Sequence, residues 1–179
     1  TDYCCTSANA PKVVMHAAKE FNSDRVIFFP DSFMGKNIQD ELDKQGIKLD
    51  VIFPGKYDNN FGRCEVHEKF SAEHIRDIRK QFNFERGSKE TAVLAHWECK
   101  PEVLKEADFH GSTSGMARYV KEHPELRKVY LATECEMAAN LSSEYPWIEF
   151  VKTCVSFCQY MQMITLDKIL YGLENDVYE

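Results

Sequence analysis

The feature that most constrains the fold is a pattern of residues that the chain contains twice. Each copy has an acidic–aromatic pair, a turn rich in hydroxyl groups, an amphipathic stretch, an apolar run and a closing acidic residue. The copies are Asp2-Tyr3, Thr6-Ser7, Arg25–Phe29 and Asp31, then Asp108-Phe109, Ser112-Thr113, Lys128–Ala132 and Glu134. Self-similarity at this scale predicts stacked or pseudo-symmetric units, and we expect a ligand where the equivalent turns converge.

The second copy has a lead-in that the first copy lacks. The apolar run Thr91–Ala95 precedes it, followed by His96, Glu98 and a short helix-like segment at Pro101–Ala107. The first copy starts directly after Thr1. If the copies are equivalent, we expect at least one further strand and helix upstream, so the pattern favours a fragment of a longer protein.

Composition limits the class of protein. Apolar residues make up 44% of the 179 residues and charged residues 28%, which is typical of a globular domain with a real core. The net charge is −7 and the basic residues are scattered, so we expect no nucleic-acid partner. No apolar run approaches the roughly 20 residues of a membrane helix, so we expect no membrane partner. Seven unevenly spaced cysteines favour reduced thiols and a cytoplasmic location.

Short apolar runs alternate with amphipathic stretches along the chain. We predict strands at Arg25–Phe29, Leu49–Phe53, Ala92–Ala95, Lys128–Ala132 and Ile148–Val151. We predict helices at Ala10–Phe21, Lys36–Gln45, Ser71–Phe82, Met116–His123, Met137–Tyr145 and Thr165–Glu174, with Ser71 as an N-cap. The strands show little polar alternation, which is typical of parallel strands buried on both faces. The sequence therefore predicts an α/β fold with short parallel sheets.

The richest cluster of turn residues runs from Pro54 to Gly62 and predicts a boundary between units. We accordingly predict one αβα unit at residues 1–60, a second at 61–152, and a C-terminal segment with a helix at 153–179. No glycine-rich dinucleotide or P-loop motif follows a predicted strand, so a classical nucleotide site is not supported.

Two turns rich in hydroxyl groups follow short β-like segments and open predicted helices. They are Cys5–Asn9 and Gly111–Gly115. The free N–H groups and the positive end of a helix bind anions, and Ser7, Ser112 and Thr113 can add hydrogen bonds to a phosphate or carboxylate. Serine and threonine are also common N-caps, so a substrate-binding role and a capping role both stay open.

His96 and Glu98 follow a predicted buried strand, at the end of an α/β sheet where ligands bind. Side chains two residues apart on an extended segment point the same way, so the imidazole and the carboxylate could face one substrate. The pair suits general acid–base catalysis. The alternative is a hydrogen-bonded polar pair at a strand end without a catalytic role.

Three cysteines and one histidine are candidate metal ligands. They are Cys64, His67, Cys154 and Cys158. Thiolates bind iron–sulfur clusters or zinc, although the usual zinc motifs have tighter spacings than these. A zinc site made of all four residues is one alternative, and burial of the cysteines as small apolar side chains is another.

Seven short motifs occur in a fixed order along essentially the whole chain. They are Cys5–Ala10, Pro30-Asp31 before Met34-Gly35, Gly62–Glu68, Ala95–Cys99, Gly111–Thr113, Thr133-Glu134, and Cys158–Met161 through Leu166. Together they resemble the quinolinate synthase A family, the iron–sulfur enzymes of de novo NAD synthesis. Trp97 departs from the family pattern, because many members have proline there.

The resemblance implies three pseudo-symmetric αβα units around a central 4Fe–4S cluster, with one cysteine ligand from each unit and one iron left open. By motif, Cys64 and Cys158 are two of the three ligands, and Cys154 is an alternative to Cys158. The third ligand would belong to a unit that this chain lacks. We therefore expect the chain to hold the second and third units and to be inactive alone.

The resemblance also implies a reaction. Members condense iminoaspartate with dihydroxyacetone phosphate, losing phosphate and two waters, to give quinolinate. Ser7, Ser112 and Thr113 would bind carboxylate or phosphate oxygens, while His96 and Glu98 would orient the substrate and move protons. An oxidase that supplies iminoaspartate is an expected partner. The alternative from another class is a non-catalytic protein that binds phosphate or dicarboxylates and is built from the same repeats.

Overall fold

The structure is a computed structural model that describes residues 1–57, 62–151 and 155–177. The strands in this part of the chain are β1 (Arg25–Ile27), β2 (Asp50–Ile52), β3 (Thr91–His96), β4 (Phe109–Gly111), β5 (Lys128–Ala132) and β6 (Glu149–Phe150). The α-helices are α1 (Ala10–Glu20), α2 (Ser32–Lys44), α3 (Ala72–Phe82), α4 (Pro101–Glu106), α5 (Thr113–Glu122), α6 (Glu136–Glu144), α7 (Gln159–Gln162) and α8 (Leu166–Asn175). A 3₁₀ turn lies at His67–Lys69.

The strands form two separate parallel sheets. β1 pairs with β2, and the larger sheet has the order β4-β3-β5-β6 with every pairing parallel. The predicted α/β fold with short parallel sheets is confirmed. Each predicted strand is present. The β-like segment expected before the second hydroxyl-rich turn is the short strand β4, which pairs with the end of β3. The predicted unit boundaries stay predictions, because the division points at residues 60–61 and 152–153 lie outside the described residues.

The larger sheet is covered by helices on both faces. Val93 and Ala95 of β3 pack into a core that includes side chains of α3 and α4. Ala92 and Leu94, which alternate with them, pack into a second core with side chains of α5 and α6. Because successive side chains of a strand point to opposite faces, an uninterrupted apolar strand produces this three-layer αβα arrangement.

The two-stranded sheet is covered on one face by α1 and α2. Phe28 and Val51 pack into the core that these helices form. Ile27 and Phe29 point away from that core and are each 63% exposed. The expectation that every strand is buried on both faces is therefore wrong for β1. The physical reason is that both helices supply apolar side chains to the same face, and no described element covers Ile27 or Phe29.

The C-terminal helix α8 buries none of its residues. Leu166 is 84% exposed and Leu173 is 78% exposed, although the helix is amphipathic. Its predicted N-terminus is confirmed, since the Thr165 hydroxyl accepts a hydrogen bond from the Lys168 backbone N–H. Among the described residues, no helix has the length and apolarity that crossing a membrane requires.

Candidate metal and substrate site

The polar residues that could carry chemistry meet at the carboxyl ends of two neighbouring strands. His96 is the last residue of β3, Glu98 follows it in the turn before α4, and Thr133 directly follows β5. The segment with Cys64 and His67 lies against them from outside the sheet. The edge at which the carboxyl ends of parallel strands meet is the usual place for a ligand in an α/β fold.

His67 is the centre of this site. Its Nδ1 lies 3.0 Å from Cys64 Sγ and 2.9 Å from Glu98 Oε2. Its Nε2 lies 3.0 Å from the Thr133 hydroxyl oxygen. The ligand atoms of Cys64, His67 and Glu98 all lie within 4.8 Å of one another. A thiolate, an imidazole and a carboxylate so close together form a donor set that suits a first-row divalent metal ion.

His96 stacks on His67, with ring centroids 4.5 Å apart and ring planes 21° from parallel. Its Nδ1 accepts a weak hydrogen bond from the Glu98 backbone N–H at 3.4 Å, and its Nε2 lies 3.3 Å from Ser7 Oγ. Because Nδ1 accepts, we infer that the proton of the neutral ring is on Nε2 and points to Ser7. The side chains of His96 and Glu98 are 3.6 Å apart, which is too far for a hydrogen bond.

The titratable groups of the site respond differently to burial. Burial would lower the pKa of His67, but hydrogen bonds to Cys64 and Glu98 outweigh it and raise the pKa of His67 to about 9. Burial, helped by the neighbouring charge of His67, lowers the pKa of His96 to about 4. Burial would raise the pKa of Glu98, but the hydrogen bond from His67 holds it below its ordinary value. At neutral pH the site therefore contains a charged His67, a neutral His96 and an ionised Glu98.

Asp31 joins the start of α2 to the segment that contains Cys64. One carboxylate oxygen accepts a hydrogen bond from the Met34 backbone N–H at 2.6 Å and so caps α2. The other accepts from the Cys64 backbone N–H at 2.9 Å. The Ser32 backbone N–H also donates to the Gly62 carbonyl oxygen at 2.7 Å. These bonds fix the backbone on which the Cys64 thiol stands.

Asn37 holds the turn that contains Glu98. Its amide nitrogen donates to the carbonyl oxygen of Trp97 at 2.6 Å and to that of Cys99 at 2.9 Å. These two carbonyl groups flank Glu98 in sequence, and Asn37 is itself buried. Asn37 of α2, which packs on the smaller sheet, therefore fixes the backbone around Glu98, in the turn that follows β3 of the larger sheet.

The structure brings Ser7 and Ser112 to one cavity. They line a space of about 290 Å³ together with Trp97 and the exposed Arg118. Ser112 also caps α5, because its hydroxyl accepts a hydrogen bond from the Gly115 backbone N–H at 3.0 Å. Thr113 is exposed at the first position of α5 and is not among the described lining residues.

The two turns of the sequence repeat differ in structure. In the first copy, Asn9 is the N-cap of α1 without a capping side-chain bond, and its side chain instead accepts from the Thr6 backbone N–H at 2.8 Å. No strand precedes this turn within residues 1–9, all of which are described, so the expected β-like segment there is wrong. A strand needs a neighbour, and in the smaller sheet β1 and β2 pair with each other.

Comparison with known proteins decides the family. A family model described as "Quinolinate synthetase A protein" matches residues 1–179. The chain belongs to this family. It is 41% identical to the quinolinate synthase of Caulobacter vibrioides over 179 residues, which are 100% of this chain and 44% of that protein. It is 42% identical to quinolinate synthase 1 of Mesorhizobium japonicum over 176 residues, or 98% of this chain and 47% of that protein.

A third member of the quinolinate synthetase A family, the quinolinate synthase of Xylella fastidiosa, is 36% identical over 179 residues. The match covers 100% of this chain and 46% of that protein. The chain therefore spans less than half the length of these relatives.

The two cysteines that the resemblance assigned to an iron–sulfur cluster are half-buried beside the larger sheet. Cys64 and Cys158 pack against the same apolar core. The residues that follow them in sequence are joined, since the Gln159 amide donates to the Glu65 carboxylate at 2.8 Å. Cysteine thiolates are the usual ligands of iron–sulfur clusters. Cys154, the alternative ligand, lies outside the described residues.

Several residues of this candidate site were not assigned a role from the sequence. Asp31 carried a recognisable signal, because aspartate before an amphipathic stretch is a common N-cap. Thr133 lay in the Thr133-Glu134 motif without an assigned role. Asn37 and Arg118 carried no local signal, since Asn37 bonds distant residues and Arg118 lines a cavity with a distant serine. The contact between Glu98 and His67 was also missed, and the Cys-x-x-His spacing of Cys64 and His67 was its nearest indication.

Proposed function

We propose that this chain forms two of the three units of a quinolinate synthase, which condenses iminoaspartate with dihydroxyacetone phosphate in NAD biosynthesis. Family membership supports the reaction. The observation that carries the proposal is that Cys64, His96 and Glu98 converge beside the cavity lined by Ser7 and Ser112. Thiol donors, a proton-transfer pair and an anion pocket are then adjacent. The iminoaspartate-supplying oxidase and the cytoplasmic location stay predictions.

Cys64 and Cys158 would bind a 4Fe–4S cluster, with a third cysteine from a unit outside these residues. Their common core and the hydrogen bond between Glu65 and Gln159 support this pairing. When bound, a cluster with an open iron supplies a Lewis acid toward substrate oxygen or nitrogen.

Ser7, Ser112 and Arg118 would bind the carboxylate and phosphate oxygens of the substrates. Both hydroxyl groups line the cavity, and the guanidinium group supplies a positive charge at its wall. The cavity also lies at the N-terminal end of α5, which favours anions. Thr113, exposed at the first position of that helix, would contact substrate atoms at the rim.

His96 and Glu98 would transfer protons. Loss of phosphate and two waters requires both a proton donor for departing oxygen atoms and a proton acceptor. The neutral His96 ring has its proton on Nε2, the atom next to Ser7, and would hydrogen-bond a substrate oxygen from there. It would transfer that proton in step with protonation of its Nδ1, so that the ring stays neutral. The ionised Glu98 would accept a proton at Oε2.

Exposed apolar surfaces support a further unit. Ile27 of β1, Phe29 just after that strand, and Leu166 and Leu173 of α8 are between 63% and 84% exposed. Contiguous apolar patches on a soluble protein usually mark a contact surface. A third unit that packs there would complete the central site.

Residues 1–179 alone should therefore be inactive and hold no stoichiometric cluster, because two thiolates do not replace three. Aerobic purification followed by iron and acid-labile sulfide analysis tests this expectation. A stoichiometric 4Fe–4S cluster on these residues would contradict the need for a third ligand.

The proton-transfer roles can be tested in the C. vibrioides enzyme after this chain replaces its matched region. His96→Gln and Glu98→Gln should each lower kcat by about 10²–10⁴-fold, the usual contribution of a general acid or base, and leave the visible absorbance of the cluster unchanged. His16→Gln is the control, because His16 is exposed on α1. Wild-type kcat in either site variant would reject the role of that residue.

A further inference from the structure

We propose that the cluster-free protein binds one divalent first-row metal ion, of which Zn²⁺ is the best match, through Cys64 Sγ, His67 Nδ1 and Glu98 Oε2. This site shares only Cys64 with the proposed cluster and does not rest on the proposed function. It also differs from a zinc site made of Cys64, His67, Cys154 and Cys158, since its third donor is a carboxylate.

The three donor atoms converge on one point and do not form a proton relay. In a nucleophile–base–orienter relay, the nucleophile and the carboxylate contact opposite nitrogen atoms of the histidine. Here Cys64 Sγ and Glu98 Oε2 both contact His67 Nδ1, at 3.0 Å and 2.9 Å. The thiol and the carboxylate thus share one ring nitrogen, whereas a cation at that point would contact all three donors. The geometry therefore favours a metal site over an activated cysteine nucleophile.

The donor spacing is close to that of a metal site. Bonds of about 2.3 Å to sulfur and about 2.0–2.1 Å to nitrogen and oxygen place the donors of a tetrahedral zinc site about 3.3–3.6 Å apart. Cys64 Sγ and Glu98 Oε2 would therefore each move about 0.4–0.6 Å away from His67 Nδ1 on binding. The Glu98 side chain is 27% exposed and lies in a turn, so it has room for this movement. A fourth position would be open to water, as in many three-ligand zinc sites.

Neighbouring groups orient each ligand. The Thr133 hydroxyl contacts His67 Nε2 at 3.0 Å, so Nδ1 faces the thiol and the carboxylate. Histidines that bind metal ions usually have their other ring nitrogen held in this way. Asp31 fixes the Cys64 backbone, and Asn37 fixes the turn around Glu98. Ligands that are already oriented lose less conformational entropy on binding.

Titration of reduced, cluster-free residues 1–179 with Co²⁺ under anaerobic conditions tests the proposal. Co²⁺ reports thiolate ligation through a charge-transfer band and four-coordination through intense visible bands. We expect one Co²⁺ per chain and displacement by Zn²⁺. Cys64→Ser should abolish the charge-transfer band. His67→Gln and Glu98→Gln should each raise the Kd for Co²⁺ by at least about tenfold. Removing a metal ligand should weaken binding at least as much as removing a residue that only hydrogen-bonds a ligand.

Cys158→Ser is the matched control, because this thiol packs on the same core but is not one of the three donors. It should leave the Kd for Co²⁺ unchanged. Thr133→Val should raise the Kd by about 10–100-fold and retain the charge-transfer band, as expected for an outer partner of a ligand. Circular dichroism verifies that each variant is folded. Glu98→Gln is nearly isosteric and partly exposed, so we expect it to fold, and it tests the site even if another variant unfolds.

Three results would overturn the proposal: no binding at one Co²⁺ per chain, a Kd unaffected by both Glu98→Gln and His67→Gln, or a charge-transfer band that depends on Cys158 and not on Cys64. The proposed cluster instead requires iron, sulfide and Cys158. Failure of cluster assembly would therefore not affect the test of Co²⁺ binding, and failure to bind Co²⁺ would not affect the test of cluster assembly.

Discussion

Asn37 is a single residue that joins the two sheets of the molecule. It belongs to α2 beside the smaller sheet, and its amide group donates to two carbonyl oxygens in the turn after β3. The side chain is 5% exposed, so water cannot readily replace it. A buried carbonyl group that loses its donor costs about 1–3 kcal/mol.

Asn37→Leu should lower the free energy of unfolding by about 2–4 kcal/mol, because it leaves two carbonyl groups without their donor at nearly constant side-chain volume. Urea denaturation measures the change. Asn175→Leu is the control, since Asn175 is exposed in α8, and it should change stability by no more than about 0.5 kcal/mol. Equal effects of the two substitutions would contradict the role of Asn37.

Ser112 has two roles that a second serine can separate. Ser112→Ala and Ser71→Ala each remove an N-cap and should each cost about 1 kcal/mol of stability. Ser112 alone of the two lines the candidate anion cavity. Calorimetric titration with inorganic phosphate should therefore show weaker binding after Ser112→Ala and unchanged binding after Ser71→Ala. Identical affinities in the two variants would remove Ser112 from the anion site.

At the scale of elements, the segment before the 3₁₀ turn depends on a close approach to the loop between β1 and α2. A Cβ atom added at Gly62 would lie 2.0 Å from the Pro30 carbonyl oxygen, so Gly62→Ala must displace this segment. We expect a loss of about 1–3 kcal/mol of stability, as for other overpacked sites, and weaker Co²⁺ binding because Cys64 is two residues away.

Gly172→Ala is the matched control in the same experiments. An added Cβ there comes no closer than 3.4 Å to the Val177 carbonyl oxygen, and alanine favours a helix. It should raise stability by up to about 1 kcal/mol and leave Co²⁺ binding unchanged. Wild-type stability and wild-type cobalt affinity in Gly62→Ala would show that the close approach does not position Cys64.

The helices and strands were largely predictable from the sequence. Which faces of the strands are covered by other parts of the chain was less predictable. Periodicity located the buried strand β3 and the cap at Ser71, because both depend on neighbouring residues. It did not reveal that β1 is exposed on one face, since that depends on which face distant helices cover. The short strand β4 was expected only as a β-like segment before the second hydroxyl-rich turn, because its pairing with β3 depends on the tertiary fold.

The same distinction holds for the candidate site. His96 and Glu98 were recognisable as a pair at a strand end, because their spacing is local. The convergence of Glu98 with His67 was not, because it joins two segments through the tertiary fold. The local sequence pattern likewise does not predict that Asn37 joins the two sheets, because its partner Trp97 is distant in sequence.

At the scale of the whole molecule, the repeat places its two serines at one cavity although the two turns have different local structures. Ser7 contacts His96, whereas Ser112 caps a helix, and both line the same space. The exposed apolar side chains of β1 and α8 support contact with a further unit of a longer protein. We propose that these residues form two thirds of the wall of a quinolinate synthase site.

The most direct test measures quinolinate formation by the C. vibrioides enzyme in which this chain replaces the matched region, after anaerobic reconstitution with iron and sulfide. We expect quinolinate formation and visible cluster absorbance, with both lost in Cys64→Ala and in Cys158→Ala. A folded, cluster-containing hybrid that makes no quinolinate would contradict the proposed function, as would a full cluster in either cysteine variant.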